Sequence, residues 1–177
     1  SFLCFRYAHF CTKIHYNRCA NEQGVRHHEN KTSLRVFTLK EIMKNSIIRM
    51  NPKTLPNASE MGYSQISIVS PGSMAYISGQ VAWQVNGEVV PDNLVEQMKI
   101  VSVNAKTALE AVGATANDIV IARIYVVNLT PERLEEIMPP FLATFEGAQP
   151  CVTGVGVAAL AAPDLQVEME LVVRIPD

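Results

Sequence analysis

Two apolar segments near the C-terminus, separated by a short loop, constrain the fold more than any other feature. The first covers residues 150–160 and the second 166–171, with the loop sequence Ala161-Ala162-Pro163-Asp164 in between. Side chains of a strand alternate between its two faces, so Glu168 and Glu170 share one face of the second segment. We predict two strands, the second of which presents two carboxylates on one side of a sheet.

The upstream pattern supplies further elements. Apolar residues predict strands over residues 63–69 and 74–78, joined as a hairpin by the turn Ser70-Pro71-Gly72-Ser73. A stripe of apolar residues at spacings of three and four predicts a helix that begins at the N-cap Asp92 and runs to about Val112. Gly113 provides the stop.

The segment 119–127 is apolar on both faces, which is typical of an interior strand. Thr130 and Pro131 begin a second helix as its N-cap and first residue. Pro139 and Pro140 are expected to break or re-initiate that helix before residues 141–145, because neither donates a backbone hydrogen bond. The predicted order is β-β-α-β-α-β-β, a two-layer α+β domain with two helices on one face of a mixed sheet of four to six strands.

Charge divides the chain into a leader, residues 1–50, and a domain, residues 51–177. The leader contains nine Lys or Arg and three Asp or Glu, a formal charge of +6, whereas the domain contains six and fourteen, a formal charge of −8. All four histidines and three of the four cysteines lie in the leader. Three interpretations remain for it: a zinc site, an organelle-targeting segment, or a disordered extension or sequence outside the functional protein. We favour the last, because the zinc-ligand spacings do not fit and the segment is poor in serine.

Several functional classes are excluded for the domain. It has no histidine and only one cysteine, Cys151, so it lacks the residues for Ser-His-Asp or Cys-His catalysis and for a Cys/His metal site. It contains no phosphate-binding loop and no dinucleotide fingerprint, so we predict neither metal nor cofactor. Its acidic charge argues against a nucleic-acid partner. No apolar run approaches the roughly 20 residues of a membrane span.

The remaining polar candidates lie at the ends of predicted strands. They are Tyr63, Ser78, Arg123, Glu168 and Glu170. Each also has an ordinary structural explanation, since a tyrosine covers a sheet edge, a serine completes a turn, and alternating acids face solvent. The residue pattern alone leaves both interpretations open.

Longer motifs resemble the RidA/YjgF family over about residues 63–174. They are Ile77-Ser78-Gly79-Gln80, Ala111-Val112-Gly113, Asp118-Ile119-Val120 and the stretch 150–170. The resemblance implies a fold like that of chorismate mutase and a homotrimer with small-molecule clefts between its subunits. Family members of the deaminase type hydrolyse reactive imines and enamines, such as 2-iminobutanoate, to a keto acid and ammonia.

The resemblance also assigns site residues. Glu168 matches the acidic residue that positions the attacking water, and it is the predicted catalytic residue. Three further residues match substrate-binding positions of the cleft: Tyr63, Ser78 and Gly79.

The chain departs from the deaminase pattern on the first C-terminal strand. Deaminase-type members carry Pro-x-Arg-x-Cys there, and this chain has Pro150-Cys151-Val152-Thr153-Gly154. Val152 replaces the arginine that grips the substrate carboxylate, and Gly154 replaces the cysteine whose main chain helps to hold it. Arg123, on the neighbouring strand, is the candidate substitute, although an arginine in such a position is more often part of a structural ion pair.

Valine cannot form the bidentate, charge-assisted contact that arginine makes with a carboxylate. Losing such a partner costs on the order of 1.5–3 kcal/mol, which lowers affinity at least tenfold. We therefore predict a Rid-type protein acting on imines or enamines that has little 2-iminobutanoate deaminase activity. The alternative is a trimeric binding or sensing module without catalysis.

A third function, RNA cleavage, fits an acidic domain without histidine poorly. The low cysteine content of the domain favours a cytoplasmic location. An organelle matrix is the alternative if the leader is a targeting peptide.

Overall fold

The computed structural model describes residues 47–177, which form six strands, two α-helices and two short 3-10 helices. The strands are β1 (Ile47–Met50), β2 (Ile66–Val69), β3 (Met74–Gln80), β4 (Ile119–Val127), β5 (Cys151–Val157) and β6 (Val167–Arg174). The α-helices are α1 (Leu94–Ala111) and α2 (Pro131–Ala143), and the 3-10 helices are Ala58–Met61 and Ala116–Asp118.

Four of the strands form a mixed sheet in the order β3-β6-β4-β5. β4 is parallel to β5, while β6 is antiparallel to both β3 and β4. The long apolar segment of β4 is thus an interior strand, as predicted. Both helices contribute to the core against one face of this sheet, which confirms the two-layer α+β architecture.

The core consists of alternate residues of the sheet and the apolar stripes of the helices. From the sheet it contains Ile124 and Leu171, from α1 Met98, and from α2 Phe141, all of them at most 2% exposed. The ring of Phe141 meets that of Phe145 edge-on, with centroids 4.8 Å apart. Period-two burial along β4 and β6 leaves their other side chains on the face that the helices do not cover.

The predicted hairpin of the first two strands is wrong. β2 pairs with β1 in a separate two-stranded sheet, and β3 pairs instead with β6. β1 is formed by the last four residues of the leader, and the other leader residues lie outside the described part of the chain. Strand pairing follows long-range register, which a local turn signal does not specify.

The helix ends agree closely with their capping signals. α1 is capped by Asn93, one residue beyond the predicted Asp92, and the Asn93 side chain accepts a hydrogen bond from the Glu96 backbone N–H at 3.0 Å. Thr130 caps α2 in the same way, with Pro131 as its first residue, as predicted.

The prediction that Pro139 and Pro140 break or re-initiate α2 is wrong, because the helix continues through both to Ala143. The carbonyl groups that these prolines leave without a helical donor belong to Glu135 and Glu136. Both residues are exposed, so water can hydrogen-bond their carbonyls.

Candidate functional site

The uncovered face of the four-stranded sheet, called here the open face, carries a cluster of polar side chains. Cross-strand register places Arg123 of β4 opposite Glu170 of β6, and Tyr125 opposite Glu168. The residues between them in sequence, such as Ile124 and Met169, are buried on the helix side. The two carboxylates predicted to share a face therefore do so, beside an arginine and a tyrosine.

Glu170 is held by two neighbours on β4. Its Oε1 lies 2.6 Å from Arg123 Nη1, and its Oε2 accepts a hydrogen bond from the Tyr125 hydroxyl at 3.0 Å. About a third of each charged side chain remains exposed, so solvent screens this ion pair partly. The hydrogen bond to Glu170 raises the pKa of Tyr125 above its ordinary value, with smaller contributions from burial and from the nearby acids, including Glu168. Tyr125 is therefore a protonated donor at neutral pH.

Glu168 differs from Glu170 in having no such partner. Among residues 47–177, none donates a hydrogen bond to its carboxylate, although it lies close enough to Tyr125 to influence that phenol. A Glu168 carboxylate thus remains available to an external donor, such as water or a ligand.

Gly79 provides the space that the Glu168 side chain occupies. The pairing of β3 with β6 is irregular between Ile77 and Gln80, where Ser78 and Gly79 form a bulge. A Cβ atom added to Gly79 would lie only 1.7 Å from Glu168 Oε1. The carboxylate therefore lies against the main chain of the bulge, and the structure brings three of the predicted site residues together, since Ser78 is the exposed neighbour of Gly79.

The other predicted residues lie at the β5 edge of the sheet. Val152 is opposite Ala122 and packs against the hydrophobic core. Gly154 is opposite Ile124, and a Cβ added to it would be 3.7 Å from Ile124 Cγ2. Both positions thus lie on the helix side of β5.

Tyr63 belongs to the same edge. The backbone N–H of the next residue, Ser64, donates to the Pro150 carbonyl at 3.0 Å, which places this segment beside the start of β5. The sheet order then puts β4 between the strand of Glu168 and the strand of Val152, whose side chains also point to opposite faces. One small ligand cannot contact both side chains within a single chain, because strands two apart are separated by roughly 10 Å.

Arg123 does not take the place of the missing arginine within the chain. It is opposite Thr153 on β5 and faces away from Val152. Its guanidinium is already engaged by Glu170.

Tyr125 is not among the site residues predicted from the sequence. Glu170 is one of the polar candidates at the strand ends, but the family resemblance gives it no role. Because Arg123 and Tyr125 are two residues apart in a strand, they must share a face, and this spacing is a signal that could have identified the cluster.

Other features of the described residues lie elsewhere. A cavity of about 340 Å³ lies between α1 and the turn near Asn86, and none of the predicted site residues lines it. Residues 47–177 contain no group of three or more His, Cys, Asp or Glu arranged to hold a metal ion. In the same range, no helix combines the length and hydrophobicity needed to cross a membrane.

Comparison of the chain with known proteins matches its sequence and its fold to one family. A family model described as endoribonuclease L-PSP covers residues 54–175, which is more than half of the chain. The chain belongs to the RidA/YjgF family. A RutC family protein of Pyrococcus abyssi is 30% identical over 112 residues, which are 62% of this chain and 84% of that protein.

Solved structures of the family share the fold. A Rid-family protein of unknown function from Yersinia pestis is 37% identical, with a TM-score of 0.69 over 73% of this chain and 98% of that one. RidA from the Antarctic bacterium Psychrobacter sp. is 28% identical, with a TM-score of 0.53 over 65% and 88% of the two chains. The domain accordingly has the chorismate-mutase-like fold of RidA/YjgF proteins, as predicted.

Proposed function

We propose that this protein is a Rid-type hydrolase of imines or enamines that works in clefts between the subunits of a homotrimer. We also propose that 2-iminobutanoate is a poor substrate for it. The observation that carries the proposal is the Glu168 carboxylate, which lies against the Gly79 bulge without a hydrogen-bond donor from residues 47–177. A carboxylate of this kind can accept a proton from water.

The division of the predicted site into two groups supports a shared cleft. Ser78, Gly79 and Glu168 lie at the β3–β6 side, whereas Tyr63 and Val152 lie at the β5 edge. The two groups can surround one ligand only if the β5 edge of one subunit approaches the β3–β6 side of another.

The open face also has the character of a subunit contact. Tyr76 and Val155 point outward from it and are 79% and 37% exposed. A sheet with one face in water ordinarily has polar side chains on that face, so exposed apolar side chains on the open face favour coverage by another subunit.

The chemistry requires one water and one base. Glu168 accepts a proton as the water oxygen adds to the imine carbon and passes that proton to the imine nitrogen, which gives a carbinolamine. Glu168 then takes the hydroxyl proton of the carbinolamine and delivers it to nitrogen as the C–N bond breaks, so that imine and water become a carbonyl compound and ammonia. Ser78 and the main chain at Gly79 and Gly154 are suited to receive the polar end of the ligand.

Val152 limits the range of substrates. An aliphatic side chain offers no charge-assisted hydrogen bond to a carboxylate, so a small imino acid would lose at least a tenfold contribution to binding. This reasoning supports a Rid-type protein whose substrates differ from those of arginine-bearing members.

RNA cleavage is not our proposal, although the matching family model carries the description of an endoribonuclease. Residues 47–177 contain no histidine, and their acids outnumber their bases. Binding to an RNA backbone relies on positive charge.

A cytoplasmic location also stays a prediction.

Competition with semicarbazide for a free imino acid tests the proposed function. An amino-acid oxidase would generate the imino acid, and the protein would compete with semicarbazide for it while keto-acid formation is followed. We expect the native chain to accelerate keto-acid formation weakly and Glu168→Gln not to accelerate it. Val152→Arg should accelerate it at least tenfold more than the native chain. Activity of the native chain equal to that of an arginine-bearing relative would contradict the interpretation of Val152.

Two further measurements test the proposed homotrimer and the alternative function, a binding module without catalysis. Light scattering of the native chain should give the mass of three subunits, and a monomer would overturn the shared cleft. Ligand-dependent increases in melting temperature without turnover, in the native chain and in Val152→Arg, would identify a binding module instead.

A further inference from the structure

We propose that the preferred ligand of this cleft is a protonated imine without a carboxylate, the iminium product of oxidising a primary amine. This inference rests on the proposed function and specifies its substrate class. It follows from the distribution of charge around Glu168.

Within residues 47–177, nearly all positive side chains are already engaged by groups of the chain rather than free beside Glu168. Residues 47–177 contain seven Lys or Arg, and six of them hydrogen-bond groups of this chain. The six pairs are Arg49 with the Asn117 and Ile119 carbonyls, Lys99 with Glu96, Lys106 with Glu146, Arg123 with Glu170, Arg133 with Gln166, and Arg174 with Asp177. The seventh, Lys53, is exposed in the loop after β1.

The polar cluster of the open face is therefore negative. Arg123 neutralises Glu170 at 2.6 Å, and Glu168 contributes a charge that residues 47–177 leave uncompensated. The residues predicted for the half-site of the neighbouring subunit, Tyr63, Val152 and Gly154, add no formal charge. Arg49 lies close enough to Cys151 to interact with it electrostatically, but its guanidinium donates to the Asn117 and Ile119 carbonyls.

The sign of the ligand charge then decides affinity. With the dielectric screening of bulk water, a singly charged cation about 4 Å from Glu168 should bind on the order of 30-fold more tightly than a singly charged anion at the same distance. At a partly desolvated site the ratio of the two affinities is larger. An imino acid carries a carboxylate into this field, whereas an iminium without one carries only the favourable charge.

The reaction balances for this class of ligand. The iminium carbon takes the water oxygen, and Glu168 takes one proton from that water and passes it to the nitrogen of the resulting carbinolamine. Glu168 then takes the hydroxyl proton as the C–N bond breaks, and this second proton goes to the departing ammonia. The iminium and water together give a carbonyl compound and ammonium. The reaction that supplies the substrate is the two-electron oxidation of a primary amine at its carbon, carried out by another enzyme.

A binding experiment with a matched pair of probes tests the charge preference without turnover. Butyramidinium and butanoate have planar head groups and the same number of non-hydrogen atoms, and they carry opposite charges. Each would be titrated into the full chain at constant ionic strength while the backbone amide signals of Gly79 and Met169 are followed by NMR. We expect these signals to shift with butyramidinium at a concentration at least tenfold lower than with butanoate.

Variants separate the local charge from the overall charge. Glu168→Gln should abolish the preference for the cation. Glu146→Gln removes the same charge from an exposed residue that pairs with Lys106, outside the predicted site, and should leave the preference unchanged. Equal shifts with both probes in the native chain, or a preference that survives in Glu168→Gln, would overturn the inference.

Turnover distinguishes this inference from the proposed function. An amine oxidase acting on butylamine and an amino-acid oxidase acting on 2-aminobutanoate would supply the two kinds of imine, each in competition with semicarbazide. Faster hydrolysis of the amine-derived imine supports both proposals. Faster hydrolysis of the imino acid overturns the inference and leaves a Rid-type hydrolase. Hydrolysis of neither, with butyramidinium bound, overturns the hydrolase and leaves the ligand class.

Discussion

Replacement of Gly79 by alanine should displace Glu168 while leaving its carboxylate chemically intact. The added Cβ would lie 1.7 Å from Oε1, 2.4 Å from Cδ and 2.7 Å from Cγ of Glu168. Carbon and oxygen atoms in contact are normally separated by about 3.3 Å, so the carboxylate must move by roughly 1.6 Å. The short distance to Cγ means that the side chain has to rotate near its base.

The expected cost to stability is small and depends on Glu168. A strained rotamer costs about 0.5–1.5 kcal/mol, whereas a Gly-to-Ala change stabilises by about 0.4–1 kcal/mol where the backbone allows it. The φ angle of Gly79 is not in the left-handed region, so its backbone allows alanine. Gly79→Ala should therefore destabilise the native chain by up to about 1 kcal/mol, and it should stabilise the Glu168→Ala variant.

A double-mutant cycle measures this difference. Denaturant unfolding of the four proteins at one subunit concentration should give a coupling free energy of about 0.5–1.5 kcal/mol between the two positions. The same effect of Gly79→Ala in both backgrounds would refute the contact with Glu168. If the native chain hydrolyses imines, Gly79→Ala should lower kcat/KM on the order of 100-fold, because displacements of about 1 Å have that effect.

Three further substitutions test the surrounding structure. Asn93→Ala removes the N-cap of α1 and should lower the free energy of unfolding by about 1 kcal/mol in urea denaturation; no change would mean that another group caps the helix. Tyr125→Phe tests the raised pKa of the phenol: the folded chain retains this proton to higher pH than the unfolded chain, so the contribution of Tyr125 is complete below about pH 10 and is lost above it. The stability difference between Tyr125→Phe and the native chain should shrink from pH 9 to 11, and a constant difference would contradict the hydrogen bond to Glu170. Pro139→Ala supplies the missing helical donor at an exposed position and should stabilise the folded chain by about 1–3 kcal/mol in thermal unfolding. A loss of stability would contradict the expectation that Pro139 destabilises α2.

The sequence by itself determined the elements whose signals are local. The apolar stripe and stop signal of α1, the cap residues of α2 and the apolar run of β4 all depend on neighbours within a few residues along the chain. For that reason the observed bounds of α1, Leu94–Ala111, differ little from the predicted ones. The alternation that places Glu168 and Glu170 on one face is local as well.

The tertiary structure alone decided which segments meet. The partner of β2 is β1 rather than β3, and Glu170 pairs with Arg123, which lies 47 residues away in sequence. The register of β5 against β4 placed Val152 on the helix side, opposite to the face of Glu168. Strand pairing and register depend on contacts between distant segments, so no window of sequence contains them.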